Sequence, residues 1–303
     1  MAARLALADR TSTWAASDCL PLVEERCRQL ITASCGTASD SNPEVACAAL
    51  HHMDAGGRRI RARLALDAAA HLGLDACTAI TLATTCELLH NASLIHDDLQ
   101  DEDEHRRGRQ TVWKSCGDDV ALCAGDLLLS SAYASLAELD DPAHLALMLK
   151  TIHLRTAAAI HGQAADIAHR ALPVETIQAY LRIVAGKSGA LLSLPLELAL
   201  LAAGNAAACT EARAAAEAFA IGYQIADDLD DVEKDAGHDG RAPTLNLVLL
   251  LQRGGVTCDA AVQRQCIDLA RQHLVDAARL ANALPRQSGR LLAQLAVALD
   301  ERL

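Results

Sequence analysis

Aromatic residues are nearly missing from this chain: two tryptophans, three tyrosines and one phenylalanine in 303 residues, 2% of the total. β-Branched residues are sparse as well, and Ala and Leu supply most of the 51% apolar fraction. That balance disfavours sheet and favours helix along the whole length. Basic charge is also short, with 27 Lys and Arg against 39 Asp and Glu, a formal net charge of −12, and lysine only at positions 114, 150, 187 and 234. So acidic a chain is a poor partner for nucleic acid, whose binding rests on Lys and Arg neutralising phosphates. It is equally poor at docking on anionic membranes. The eleven cysteines are odd in number and include no CxxC pair. They read as small buried hydrophobes in a reducing compartment rather than as a zinc or disulfide framework. No uninterrupted apolar run approaches the ~18–20 residues of a membrane span, since Pro195 and Glu197 break the Ala/Leu stretch at 189–203. The first ten residues are too short and too charged for a secretory apolar core. A soluble, cytoplasmic protein with no stable membrane insertion and no nucleic-acid partner is expected.

What is present is helical patterning, punctuated by short turn clusters. Breaks fall at 36–43, near Gly73, at 106–110, 140–142, near Pro173, at Gly204-Asn205, 235–243, Gly254-Gly255 and 284–289. No linker is long or polar enough to separate domains. The pattern predicts one all-α bundle domain over residues 1–303. Two predicted helices, about 76–101 and 211–231, are apolar nearly all round until their acidic ends. Such helices belong at the centre of a bundle.

Those two ends carry the same pattern. Asp97-Asp98-Leu99-Gln100-Asp101 and Asp227-Asp228-Leu229-Asp230-Asp231 each place acids at i, i+1 and i+4. On a helix, i and i+4 share a face one turn apart, so Asp97 with Asp101, and Asp227 with Asp231, project paired carboxylates. Acid runs are usually solvated faces, but here the pattern recurs in one form and each copy ends an apolar helix. Crowded carboxylates repel unless a cation intervenes, and hard oxygen ligands with room for phosphate oxygens suit Mg²⁺. Two such ledges facing across a cavity would cage a metal-complexed diphosphate. Arg106, Arg107 and Arg109 follow the first copy as a basic counterweight.

Other groups point the same way. Gly56-Gly57-Arg58-Arg59-Ile60-Arg61 sets paired glycines before a basic helix start, where backbone N–H groups favour anions. Arg58 and Arg61, at i and i+3, are placed to fork onto one phosphate. His90 lies two turns before Asp97 on the same face, as a core residue or a phosphate donor. Lys187 stands alone between small residues in Gly186-Lys187-Ser188-Gly189, and Gln163 and Asp166 follow Gly162 in an Ala-rich helix. His153, His161 and His169 recur every eight residues, a spacing that drifts around a helix and suits a zinc site poorly.

The segment Ser93–Gly108 strongly resembles the first aspartate-rich motif of the trans-isoprenyl diphosphate synthases, the polyprenyl synthetase family. The likeness continues, in family order, through Gly57–Arg61, Gly125-Asp126, Gly162-Gln163, Lys187–Gly189 and Tyr223–Asp228. It implies an all-helical bundle around a deep apolar cavity, usually a homodimer, that joins isopentenyl diphosphate to an allylic diphosphate. It implies Asp97 and Asp101 on two Mg²⁺ ions and Asp227 on a third, with Asp98, Asp228 and Asp231 supporting or water-bridged. Arg106, Lys187 and Gln224 would then hold the allylic diphosphate, and Arg58, Arg61, His90 and Arg107 isopentenyl diphosphate. Four departures stand out: Arg58 in place of lysine, Ala62 in place of proline, the added acid Asp230, and a shortened loop after Asp231. In that loop Lys234 and Arg241 are both candidates for the family's lysine.

Product length should follow from what blocks the growing tail along the helix that ends in the first motif. Ala92 and Ser93, one to two turns before Asp97, are small, and the family's aromatic stop for fifteen carbons is lacking there. A product of twenty carbons or more is expected, geranylgeranyl diphosphate first, with Tyr133 as a lower stopper or a plain core residue. Two rivals remain. A class I terpene cyclase uses aromatic faces to shape cations, which this chain can hardly supply. A non-catalytic subunit of a heteromeric synthase could dispense with one acid cluster, yet both are intact.

Overall fold

The computed structural model describes residues 14–33, 43–140, 142–237, 243–255 and 258–303. The N-terminal segment and Arg241 lie outside the described residues. Among the described residues the fold is all-α, apart from one two-stranded hairpin. Two compact units share the chain, the first formed by residues 1–149 and 198–205 and the second by 150–197 and 206–303.

In the first unit, helices α1 (Ala16–Ala33), α2 (Pro43–Met53), α3 (Ile60–Leu72) and α4 (Ala76–Gln100) precede a hairpin, α5 (Val112–Cys116) and α6 (Asp118–Leu136). Helix α4 is the axis, with α1, α3 and α6 packed on it. Gly73, at φ 79°, ends α3 and returns its N–H to Ala69 and Ala70. The Asp75 carboxylate then caps α4 by accepting the Thr78 N–H at 2.9 Å, a cap worth about 1 kcal/mol. From Ala79 to Leu89 every residue of α4 is buried. A helix apolar all round has to be covered all round, and small residues make that cover close. Ala62, Ala65, Ala68 and Ala69 are buried on α3, and Ala121, Ala124 and Ala132 on α6. Each buried Leu or Ile of α4, such as Leu82 and Leu88, adds roughly 1.5–3 kcal/mol. At Gly125 a Cβ would sit 2.2 Å from the His96 ring, so α6 can lie against that ring only through glycine.

The expected break after α4 is a hairpin rather than an open turn. Strands β1 (His105–Arg106) and β2 (Arg109–Gln110) pair antiparallel, and Arg107 (φ 53°) and Gly108 (φ 77°) turn between them. Two consecutive positive φ angles are what a tight two-residue hairpin loop demands. The Thr111 hydroxyl and the Trp113 indole N–H both donate to the Asp103 carbonyl, at 2.7 and 2.9 Å, and fasten the loop to its base.

In the second unit, helix α10 (Cys209–Asp230) is the axis and α13 (Asp259–Asn282) runs along it. Gly222 permits the approach, since a Cβ there would lie 2.6 Å from Leu274. Tyr180, Ile221, Ile225, Leu247, Leu251 and Cys266 form the core around this pair. Helices α7 (Pro142–His169), α8 (Ile177–Val184) and α9 (Ala190–Ala202) occur in order, with one π-helical turn, Ala185–Gly189, joining α8 to α9. The shorter α11 (Val232–Asp235) and α12 (Leu247–Arg253) follow α10, and α14 (Arg290–Asp300) follows α13. His169 accepts the Val174 N–H on Nδ1 at 2.9 Å, so that histidine finishes α7.

The continuous helical stretch Ile177–Ala202, and also α6, are long and apolar enough to cross a membrane by length and composition. The first of these is 72% buried, the position of a core helix. Cysteines 19, 27, 86 and 266 are buried as expected, but Cys47, Cys77, Cys123 and Cys258 are exposed.

Glu197, inside that apolar stretch, keeps its carboxylate by pairing. It accepts Arg155 Nε at 2.8 Å, Arg155 Nη2 at 3.2 Å and the Ser193 hydroxyl at 2.6 Å. Removing one partner of a buried ion pair leaves an uncompensated charge, which costs about 3–5 kcal/mol. Arg155→Met should lower the urea-unfolding free energy by that amount. Adding Glu197→Leu should restore most of it, and an additive loss in the double variant would refute the pairing.

Candidate active site

In the first unit, the last turn of α4 carries Asp97, Asp98 and Asp101. Asp101 is the helix cap, its N–H bonded to the Asp97 carbonyl at 2.8 Å. Asp97 and Asp101 are half-buried, whereas Asp98 is 1% exposed. One residue of helix is about 100° of rotation, so the middle acid turns inward while its neighbours share a rim. Inside, Arg106 Nε donates to Asp98 Oδ1 at 2.6 Å. Burial pushes the Asp98 carboxyl up against the pull of that guanidinium. Its other oxygen, Oδ2, is shielded and has no partner among the described residues.

Basic groups gather in the same unit. Arg107, at the hairpin tip, donates to the Gly56 carbonyl, and its guanidinium lies where a Cβ on Gly57 would be, 2.6 Å from Cζ. Arg61 is half-buried with a shielded, unpartnered Nε. Burial lowers it to about 10, against the opposing charges of Glu87, Cys86 and Asp97. His90 is pushed well below the usual imidazole range by burial and then by Arg61 and Arg107, so its ring is neutral, with Nδ1 shielded and unpartnered. His52, which nothing in the sequence pattern singled out, is brought down to about 3 by burial and by Arg106 and Arg107. Arg58 is exposed and precedes the helix, whose cap is Arg59. The expected i, i+3 fork of Arg58 with Arg61 therefore does not form on one helical turn. Buried cations whose donors lack partners favour an anion.

The second unit repeats the acid arrangement with a different anchor. Asp231 caps α10, its N–H on the Asp227 carbonyl at 3.0 Å. Asp228 is 1% exposed. Tyr180 Oη and the Leu247 N–H donate to Oδ2, both at 2.7 Å, and Gln224 Nε2 to Oδ1 at 2.9 Å. Burial raises Asp228 to about 6 despite those donors. Asp227 is raised by burial and by Asp231, with Asp230 and Asp235 adding and Lys234 opposing. Lys234 Nζ is 3.4 Å from Asp231. Asn246 Nδ2 bridges the Asp228 carbonyl, 2.9 Å, and Asp235 Oδ2, 3.0 Å. Tyr180 and Asn246 were not foreseen, because they join the cluster only through folding.

Lys187 sits in the π turn and donates to Asp166 Oδ2. A Cβ on Gly162 would be 2.3 Å from the Lys187 nitrogen, so α7 seats the lysine backbone with Gly162 and its ammonium with Asp166 one turn later. π turns inside helices frequently mark functional sites.

The donor chemistry fits Mg²⁺. No group of three or more His, Cys, Asp or Glu that could hold a metal occurs among the described residues. Mg²⁺ is typically bound by one or two carboxylates completed by water and substrate phosphates, and each rim supplies two. Asp97 and Asp101, and separately Asp227 and Asp231, are the residues that would hold it. As for the chain-length residues, Ala92 is buried, Ser93 is half-buried with its hydroxyl on the His90 carbonyl at 2.8 Å, and Tyr133 is half-buried on α6.

The Asp228 shift has a signed consequence. Its folded value, about 6, lies above the ordinary 3.8. The stability it contributes is full below the unfolded value and lost as pH rises through the folded one. Two units correspond to about 2–3 kcal/mol. From pH 4 to pH 7 the unfolding free energy of Asp228→Asn should gain on the parent by that amount. A pH-independent difference would show that Asp228 ionises as in water.

Residues 42–244 match the family model described as polyprenyl synthetase. A (2E,6E)-farnesyl diphosphate synthase of Mycobacterium tuberculosis is 41% identical over 174 residues, 57% of this chain and 48% of that protein. A geranylgeranyl diphosphate synthase of the same organism is 33% identical over 186 residues, 61% and 53% of the two chains. The chain thus spans about half the length of these curated relatives. Among solved structures, the geranylgeranyl pyrophosphate synthetase from the archaeon Geoglobus acetivorans is similar with a TM-score of 0.79 and 26% identity, over 95% of this chain and 97% of that one. With the family model covering well over half of its length, this chain belongs to the polyprenyl synthetase family.

Proposed function

We propose that the chain is a Mg²⁺-dependent trans-prenyltransferase that condenses isopentenyl diphosphate with an allylic diphosphate. One observation carries this reading. Rim carboxylates placed one helical turn apart (Asp97, Asp101) and a shielded guanidinium whose Nε has no partner among the described residues (Arg61) belong to the same compact unit. A metal-complexed diphosphate satisfies both.

In this reading Asp97 and Asp101 hold two ions and Asp227 a third, with Asp231 beside it, while Asp98 and Asp228 anchor the ledges from within. Bound Mg²⁺ would neutralise charge developing on the departing diphosphate. Arg106, Lys187 and Gln224 take the allylic diphosphate, for which Gln224 and Lys187 must turn from Asp228 and Asp166. Arg58, Arg61, His90 and Arg107 take isopentenyl diphosphate, and neutral His90 offers it an N–H without adding charge. As the allylic C–O bond breaks, the isopentenyl double bond attacks the resulting carbocation, and the released diphosphate accepts the proton lost from the new unit. No strong protein base is required. The protein acts as a homodimer.

The test is incubation of the full chain with isopentenyl diphosphate, Mg²⁺ and each of the C5, C10 and C15 starters, followed by chain-length analysis. Condensation that persists undiminished in excess chelator would sink the proposal. Alanine at Asp97, Asp101 or Asp227 should lower turnover at least ~10²-fold if each metal contributes several kcal/mol. Near-normal turnover in all three variants would remove the ligand assignment.

For product length the proposal is twenty carbons or more, supported by the small side chains of Ala92 and Ser93, with Tyr133 as the lower stop. Relatives named for fifteen- and twenty-carbon products both match the chain. Ala92→Phe should shorten the product by at least one five-carbon unit. An unchanged product distribution would show that the tail does not run past α4 at this level.

A further inference from the structure

Arg59 has no part in the roles above, yet its conformation is tightly held. It is left-handed, φ 49° and ψ 39°, at the start of α3, where it makes no side-chain cap bond. Non-glycine residues avoid that region unless their surroundings impose it. The surroundings here are specific. The guanidinium is buried, and its three nitrogens reach three different helices. Nε donates to Glu24 Oε1 of α1 at 2.9 Å, Nη1 to Glu87 Oε1 of α4 at 3.1 Å, and Nη2 to the Met53 carbonyl at the end of α2 at 2.7 Å.

The neighbours of this node are the residues that matter for binding. Arg58 precedes it directly and Arg61 follows two residues later. The Gly56-Gly57 turn that docks Arg107 leads into it. Its partner Glu87, itself buried, lies three residues before His90 on α4 and also receives the Asn91 amide, at 2.7 Å on the carbonyl and 3.1 Å on Oε1. A shift of Arg59 would therefore move Arg58, Arg61 and Arg107 relative to His90.

We propose that Arg59, tied to Glu87, is a positioning residue for the isopentenyl diphosphate subsite, holding the turn that aims Arg58 and Arg61 and seats Arg107. The inference rests on the condensation reading. The three acceptors are met by three separate nitrogens of one planar guanidinium, whereas lysine offers its donors from a single nitrogen, so it keeps the charge and loses the geometry.

The experiment compares the full chain with its Arg59→Lys and Glu87→Gln variants. The readouts are KM for each substrate, kcat, thermal unfolding, and calorimetric binding of isopentenyl diphosphate alone. Arg59→Lys should raise the isopentenyl KM and weaken direct binding at least ~10-fold, with the allylic KM and kcat within about twofold of the parent. Glu87→Gln should shift in the same direction by a smaller factor, and keeps the test available if the lysine variant folds poorly. Equal rises in both KM values, or a lower unfolding temperature with both KM values unchanged, would overturn the role. A parent chain that fails to condense the two diphosphates counts against the condensation reading. An active parent with no KM split in either variant counts against Arg59 alone.

Discussion

Both units bend to one electrostatic problem: three or four carboxylates within five residues at the end of a largely buried helix. Helices α4 and α10 both gather their aspartates in the last turn. There the helical rotation sorts the acids without further help. The first and last share the rim, and the middle one points into the fold, 1% exposed in both copies. A buried carboxylate needs partners, and the two units meet that need differently. Asp98 takes a guanidinium. Asp228 takes a phenol, an amide and a backbone N–H, and burial pushes it up to about 6 against the pull of those donors. Burial, and then the neighbouring Asp231 carboxylate, raise Asp227.

The sequence made the helices and their acidic ends readable because both rest on local periodicity. The expected helix over 76–101 is observed as Ala76–Gln100 with Asp101 as cap, and that over 211–231 as Cys209–Asp230 with Asp231 as cap. The breaks near Gly73, Pro173 and Gly204 were readable for the same reason. What escaped was set by contacts across long stretches of chain. Arg59 and Glu87 are 28 residues apart, and Tyr180 and Asp228 are 48 apart. No spacing rule joins them. The hairpin at 105–110 looked like a mere break, since Arg-rich strands of two residues carry no alternation to read. The π turn at 185–189 hides inside a pattern that reads as ordinary helix. Arg58 and Arg61 do not share a helical turn because the left-handed Arg59 stands between them.

Cations are scarce in a chain of net charge −12, and the fold spends them on geometry. Arg106 neutralises Asp98, Arg59 ties α1, α2 and α4 to the start of α3, and Arg155 neutralises Glu197. Arginine suits each of these buried places because its fork satisfies several acceptors at once. Lys187 is the exception, a point charge on a π turn. Its carboxylate partner is held on the same helix that seats its backbone.

Glycine does for the site what arginine does for the core, and the three relevant positions are not equally strict. At Gly57 and Gly125 an added Cβ would meet the ends of side chains, the Arg107 guanidinium and the His96 ring. A side chain can rotate away, though in doing so it would abandon the Gly56 carbonyl or the face of α6. At Gly162 the conflict is with backbone, the nitrogen and Cα of Lys187 at 2.3 and 2.8 Å. Backbone in a packed helix has nowhere to go, since interiors are filled to crystal-like density. The π turn would have to unwind or α7 would have to withdraw, and either motion carries the lysine from its seat. Of the three, Gly162 thus leaves the least freedom, and it fixes the seat of Lys187.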